Sequence, residues 1–209
     1  MKLLLISDKE SPYYWDYFQP GRLDGVDLIL SCGDLKASYL SFLVTMGRAP
    51  VMYVHGNHDQ TYGVRPPEGC DCIDDKLVIY KGLRILGLGG SPRYSGGPHQ
   101  YTERQMTFRI RRLWFQLRRA GGVDVVVTHS PAQGYGDGAD YAHRGFECFL
   151  PMLDKYRPQY LVHGHVHMNY GTRNPRILQR GETTIINAYE RYLLEIPDPE
   201  QSPGRRRTP

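Results

Sequence analysis

Five short stretches of the sequence carry groups that can bind cations or move protons. Asp8 and Glu10 stand in ISDKE and Asp34 in CGDL. Asn57, His58 and Asp59 share HGNHD, His129 lies in THSP, and His165 and His167 share HGHVH. Carboxylate, amide and imidazole are donors suited to hard or borderline divalent cations. Carboxylates that end apolar runs are costly to desolvate unless positive charge sits among them. Asp8 and Glu10 are two apart, as are His165 and His167, so an extended backbone would point each pair to one side. His58 has a different use. Its imidazole, beside Asn57, suits proton donation near neutral pH. Asp59 could hold its other ring nitrogen and favour the charged form.

The elements that must position these groups are legible as apolar runs. KLLLIS (2–7), VDLILSC (26–32), APVMYVHG (49–56), KLVIYKG (76–82), RILGLGG (84–90), VDVVVTH (123–129) and QYLVHGH (159–165) have the length and branching of strands buried on both faces. RILQR (176–180), TTIINA (183–188) and YLLEI (192–196) predict further strands, with RGE (180–182) as a hairpin turn between the first two. Helices are expected over 38–46, over 102–122 with Thr102 as N-cap and Gly121 at the end, and over 145–156 with Pro151 kinking or breaking it. Strands interleaved with helices indicate an α/β domain, expected over 1–197, with 198–209 as a disordered basic tail. The candidate residues fall where ligands gather in such folds, just past the carboxyl ends of strands.

Taken in order, D-x-E, GD, GNHD, an isolated His after an apolar strand and GHVH resemble the calcineurin-like metallophosphoesterase superfamily, from Asp8 to His167. HSPAQGYGDG, HGHVHMNYG and TTIINA are more narrowly similar to its branch of brain metallophosphoesterase-domain proteins. The resemblance implies a four-layer αββα sandwich of two mixed sheets flanked by helices. It implies a phosphohydrolase with two divalent metals roughly 3.5–4 Å apart, sharing a hydroxide that attacks phosphorus in line. Asp34 would bridge the metals. Asn57, His129 and His165 would complete one shell, and Asp8 and His167 would join Asp34 on the other.

The chain departs from that family where D-x-H is usual, because its third residue is Glu10. Three readings stand open. Glu10 replaces an imidazole as ligand, or the first metal is weak or absent, or Glu10 pairs with Lys9 or an arginine while another side chain fills in. As a ligand it would let three carboxylates and the bridging hydroxide cancel two dications. That predicts a phosphodiesterase on a small or nucleotide-like substrate, with manganese the best activator ahead of iron, magnesium or zinc. A nuclease of the same fold is the rival enzyme. A non-catalytic scaffold with a decayed site is the rival of another class, and the intact Asn57, His58, Asp59, His129, His165 and His167 argue against it.

Arg93 in GGSPRYSGG, and His143 and Arg144 after His129, are candidates for gripping substrate. His55 and His163 lie inside apolar runs and read as packed or backbone-bonded. The aromatics of SPYYWDYF (11–18) could roof the site or form a satellite cluster. Arg104, Arg111, Arg112, Arg118 and Arg119 read as a solvated helix face. Three of the four excess positive charges sit at Arg205, Arg206 and Arg207, so the core is nearly neutral and nucleic acid is the weaker candidate partner. Four cysteines without a CxxC pair argue against a zinc knuckle. The first apolar run is too short for a signal-peptide core, which together with reduced thiols predicts a cytoplasmic protein without a membrane anchor. The oligomeric state is left open.

Overall fold

The computed structural model describes residues 1–168 and 175–197, so the expected basic tail at 198–209 lies outside the described residues. Ten of the thirteen strands among the described residues fall on the apolar runs: β1 (Lys2–Ile6), β2 (Leu28–Ser31), β3 (Val51–Tyr53), β5 (Lys76–Tyr80), β6 (Leu83–Leu88), β9 (Val125–Thr128), β10 (Tyr160–His163), β11 (Ile177–Arg180), β12 (Thr183–Asn187) and β13 (Tyr192–Glu195). The other three are two-residue pieces with no apolar signal: β4 (Asp71–Cys72), β7 (Ser91–Pro92) and β8 (Gln100–Tyr101).

The strands form two large sheets, in the orders β13-β1-β2-β3-β4 and β11-β12-β10-β9-β6-β5. β1 to β4 run parallel, as do β12, β10, β9 and β6. The antiparallel strands β13, β11 and β5 occupy edges. Sequence explains the division. Inner strands such as β1, β2, β9 and β10 are almost wholly buried, whereas β11 and β13 are partly exposed.

Alternation along each inner strand sorts its residues between two cores. Leu3, Leu5, Leu28 and Leu30 meet Ile85, Val125, Val127, Val162 and Ile186 in a core between the sheets. Leu4, Ile6, Ile29 and Val51 turn the other way onto Tyr39, Leu40 and Leu43 of α1 (Ala37–Met46). On the far side Leu86, Val126, Leu161 and Ile185 pack on α2 (Glu103–Arg112), α3 (Trp114–Arg119) and α4 (Phe149–Tyr156). The result is the four-layer αββα arrangement.

Two helix expectations are corrected. The long helix over 102–122 is two helices, because Leu113 N–H donates to Ile110 O and tightens the turn there. Its apolar stripe survives the break, with Met106, Leu113 and Leu117 all buried. The third helix starts at Phe149 rather than 145. Pro151 is therefore its third residue, where the missing N–H has no carbonyl waiting for it, so the proline does not break the helix. Thr102 caps α2 as expected, accepting from Gln105 N–H while the Gln105 side chain accepts from Thr102 N–H. The SPYYWDYF aromatics largely form the satellite cluster: Tyr14 is buried, and Trp15 meets Tyr39 and Phe42 edge-on.

Phe149 is fully buried against Phe146, with ring centroids 5.1 Å apart. Phe149→Ala is expected to lower unfolding free energy by about 3–5 kcal/mol in urea titrations, with the slope against denaturant unchanged.

Candidate metal centre

The expected residues arrive at one edge of the two sheets because their strands all point there. β1 delivers Asp8, β2 Asp34 and β3 the loop of Asn57, His58 and Asp59, while β9 delivers His129 and β10 leads to His165 and His167. The sheets are tied at this edge. His129 Nδ1 donates to Cys32 O at 2.8 Å, and His165 N–H donates to both Asp8 oxygens at 2.9 and 3.0 Å. The glycines of the two motifs allow the approach. Gly33 has φ +93°, and a Cβ there would strike the Gly56 backbone; at Gly164 it would strike Ser7 Oγ and the Asp8 carboxylate.

The innermost group is Asp34, Asn57, His129 and His165. His129 Nε2 lies 3.0 Å from Asn57 Oδ1 and 3.3 Å from Asp34 Oδ2. Asn57 presents that oxygen because its amide nitrogen donates to Tyr94 OH at 3.0 Å. Ligand atoms of Asp34, His129 and His165 lie within 4.8 Å of one another, close to the spacing around a single cation. All of them are buried or nearly so.

The donor set tests what belongs there. Asn57 Oδ1 and Asp34 Oδ2 both accept, and both are aimed at one nitrogen. In the cation-free chain a proton on His129 Nε2 must serve both. Burial opposes that charge, yet the Asp34 and Asp8 carboxylates override it and raise His129 to about 9. The same pairing lowers Asp34 to about 2 against its own burial. His165 behaves oppositely. Burial, helped by the charge on His129, lowers it to about 3. Its Nε2–H donates to Ala142 O at 2.7 Å, which leaves the Nδ1 lone pair free to bind a cation. Oxygens and imidazoles converging on one point, with each ring fixed by a carbonyl, fit a divalent cation.

Asp8 sits beside this group with a side chain only 1 % exposed, and burial raises its pKa. His167 Nε2 is 3.9 Å from Asp8 Oδ1, and half of that side chain is exposed. Neither pair of residues two apart begins on extended backbone. Asp8 and His165 both have left-handed backbones, φ 63° and 66°, beyond the ends of β1 and β10. The extended geometry that would align residues two apart is lost there. Glu10 is bonded to Lys36. Its Oε1 accepts from Lys36 N–H at 3.0 Å and its Oε2 is 3.9 Å from Lys36 Nζ. Lys9, offered as a partner for Glu10, pairs with Glu190 at 3.2 Å.

His58 has an exposed ring, and its N–H donates to Asp34 Oδ1 at 2.8 Å, which keeps it at the lip of the site. The role expected for Asp59 is not the one it has. Its Oδ2 accepts from Gly56 N–H at 2.7 Å and Asp34 N–H at 2.9 Å, so it clamps the two loops rather than the His58 ring. Burial first, then the charge of Asp34, pushes Asp59 up to about 6. The His143 ring packs 5.3 Å from that of His165 and is held by Asp140 at 2.9 Å. Arg93 and Arg144 are exposed, with Arg144 over the Tyr141 ring. His163 is buried and bonded to Gly164 O. Tyr94 escaped sequence reading. Nothing in its type or spacing marks it, and its place is set by Gln100 Oε1, which accepts from the N–H groups of Tyr94, Ser95 and Gly96.

Among curated relatives, the UPF0046 protein C25E10.12 of Caenorhabditis elegans is 31% identical over 152 residues, 65% of this chain and 49% of that one. Metallophosphoesterase domain-containing protein 1 of Homo sapiens is 27% identical over 123 residues, 57% of this chain and 34% of that one. The chain thus spans half or less of the length of either. The crystal structure of phosphopantetheinyl hydrolase (PptH) from Mycobacterium tuberculosis shares the fold, with TM-score 0.64 at 15% identity over 97% of this chain and 98% of that one. The family model described as calcineurin-like phosphoesterase matches residues 3–169, from the first strand through the last histidine of HGHVH, and the chain belongs to that family.

Proposed function

We propose that the chain is a metal-dependent phosphoesterase, and more narrowly a phosphodiesterase acting on a small or nucleotide-like phosphoester with two divalent cations, manganese the best of them. One observation carries the reading: the lone pairs of Asp34 and Asn57 converge on His129 Nε2 at 3.3 and 3.0 Å, where both sheets end. Asp34, Asn57, His129 and His165 would hold one cation, and Asp8 and His167 would share Asp34 around the other. Bound there, the cations would supply Lewis-acid activation of water and charge neutralisation at phosphorus. Asp8, Asp34 and Asn57 bring three oxygens beside three imidazoles and no thiolate, a set that admits manganese.

The chain's own residues do the rest. Tyr94 fixes the Asn57 amide with its oxygen inward, and Asp59 holds the loops of Asn57 and Asp34 in register. His58, on the lip, gives a proton to the leaving oxygen. His143 beside His165, with Arg93 and Arg144 on exposed loops, offers positions for substrate oxygens. With Glu10 bonded to Lys36, Asp8 and Asp34 are the carboxylates beside the cation positions. Among the described residues no helix is long and apolar enough to cross a membrane, and we place the protein in the cytoplasm.

Purified full chain is expected to retain about two metals, and in manganese to hydrolyse bis(p-nitrophenyl) phosphate faster than p-nitrophenyl phosphate. The reverse order of rates would sink the diesterase reading. His58→Ala is expected to cut the diester rate by about 10²–10⁴-fold while metal content stays the same. Cation binding also has a pH signature. His129 holds its proton below about 9, so a cation taking Nε2 must displace it. Manganese affinity should therefore fall as pH drops from 9, approaching about tenfold per unit, with about one proton released at neutral pH. Calorimetry in buffers of different ionisation heat reads that proton, and heats independent of buffer would remove His129 from the ligand set.

A further inference from the structure

A second cluster of donors lies beside β3, and the centre described above does not use it. His55 Nδ1 is 2.6 Å from Asp74 Oδ2 and 3.8 Å from Cys72 Sγ. We propose that His55, Cys72 and Asp74 form a separate cation site that takes zinc through one imidazole nitrogen, one thiolate and one carboxylate oxygen.

The backbone holds these three donors in place. β3 and β4 pair with Tyr53 opposite Cys72, and Ile73 N–H donates to Tyr53 O at 2.9 Å. Asp74 is fixed through Gly89 N–H on Oδ1 at 2.6 Å, and His55 through Gly90 N–H on its carbonyl at 2.7 Å. The His99 ring stacks on His55 with centroids 4.3 Å apart and planes 8° from parallel, which fixes the direction of the imidazole. All three donor atoms lie within 4.8 Å of one another.

Zinc bonds of about 2.3 Å to sulfur and 2.0–2.1 Å to nitrogen place tetrahedral sulfur and nitrogen ligands about 3.6 Å apart. The 3.8 Å from Cys72 Sγ to His55 Nδ1 nearly has that spacing already. The nitrogen–oxygen edge of such a site is about 3.3 Å. Asp74 Oδ2 therefore has to back off by about 0.7 Å once His55 Nδ1 gives up its proton. Charge also closes. One thiolate and one carboxylate cancel a dication, while Arg109, 3.8 Å from Asp74 Oδ1, is bonded to Asp75 at 2.8 Å. The His55 and Asp74 side chains are each 18% exposed, so water can reach the fourth position. The thiolate sets this site apart from the other centre, whose donors are oxygens and imidazoles. An occupied site would clip β4 to the chain two residues before Asn57.

Cobalt(II) added to the full chain tests the assignment, because only a thiolate gives a sulfur-to-cobalt charge-transfer band in the near ultraviolet. The expected result is such a band in the wild-type chain, kept in Cys70→Ser and in Asp34→Asn and lost in Cys72→Ser. X-ray absorption on zinc-loaded wild type should show sulfur at about 2.3 Å, and Cys72→Ser should weaken zinc retention by about tenfold or more. A wild-type chain with no sulfur in the zinc or cobalt shell overturns the proposal and leaves a hydrogen-bonded ion pair only. So does a band that follows Cys70 instead. The wild-type measurement decides even where a variant fails to fold.

Discussion

A carboxylate that water hardly reaches dictates the rest of this site. Asp34 has a side chain 10% exposed, Asp8 beside it has 1%, and Asp59 is bonded to Asp34's own N–H. Leaving such a charge unpaired in a protein interior costs several kcal/mol. The chain answers by bringing His129 across from the other sheet, at 3.3 Å, and by holding that ring with a bond to Cys32 O, two residues before Asp34. One strand end thus supplies both the carboxylate and the carbonyl that aims the imidazole at it. Asn57 then adds an oxygen to the same nitrogen. A single proton satisfies this arrangement poorly and a dication satisfies it well, which is why the fold and the chemistry cannot be considered apart.

Convergence has a conformational cost. Asp8, Asp34 and His165 all have positive φ, 63°, 58° and 66°. Each costs about 1–2 kcal/mol, against a typical domain stability of about 5–15 kcal/mol. The strain sits where a strand must stop and throw one side chain sideways over the sheet edge. The rigid part beneath can bear it. Each of these residues follows a buried strand whose partners in the inter-sheet core, such as Leu5, Leu30 and Val162, are fully excluded from water.

These two features explain how much the sequence disclosed. Inner strands such as β1 and β9 announce themselves because burial on both faces makes them unbroken apolar runs. The ligand candidates were legible because each follows such a run. What a linear reading missed is what the left-handed residues change. D-x-E and H-x-H look like alternating strand residues, yet the chain turns at Asp8 and His165, so Glu10 leaves its expected neighbour. Tyr94 was invisible because its role depends on Gln100 folding the 93–100 loop beneath it. The break at Leu113 leaves the apolar stripe intact, so periodicity has no signal for it.

The glutamate at position 10 then acquires a physical reason. Three successive residues leave β2 through the site, and each has a backbone group held by a side chain from elsewhere. Asp34 N–H donates to Asp59, Leu35 O accepts from Tyr62 OH, and Lys36 N–H donates to Glu10 at 3.0 Å. Lys36 is also the residue before α1, with an extended backbone and no side-chain cap of its own. A neutral imidazole at position 10 could accept one such bond but would bring no charge to Lys36 Nζ, 3.9 Å from Glu10 Oε2. The carboxylate serves both groups of Lys36 and so fixes the residue that precedes the helix, two beyond Asp34. Where the family's pattern has an imidazole, this chain has a group that steadies the backbone just past Asp34. On the side of Asp8 the site is the more open to water, since the His167 side chain is half exposed where that of His129 is buried.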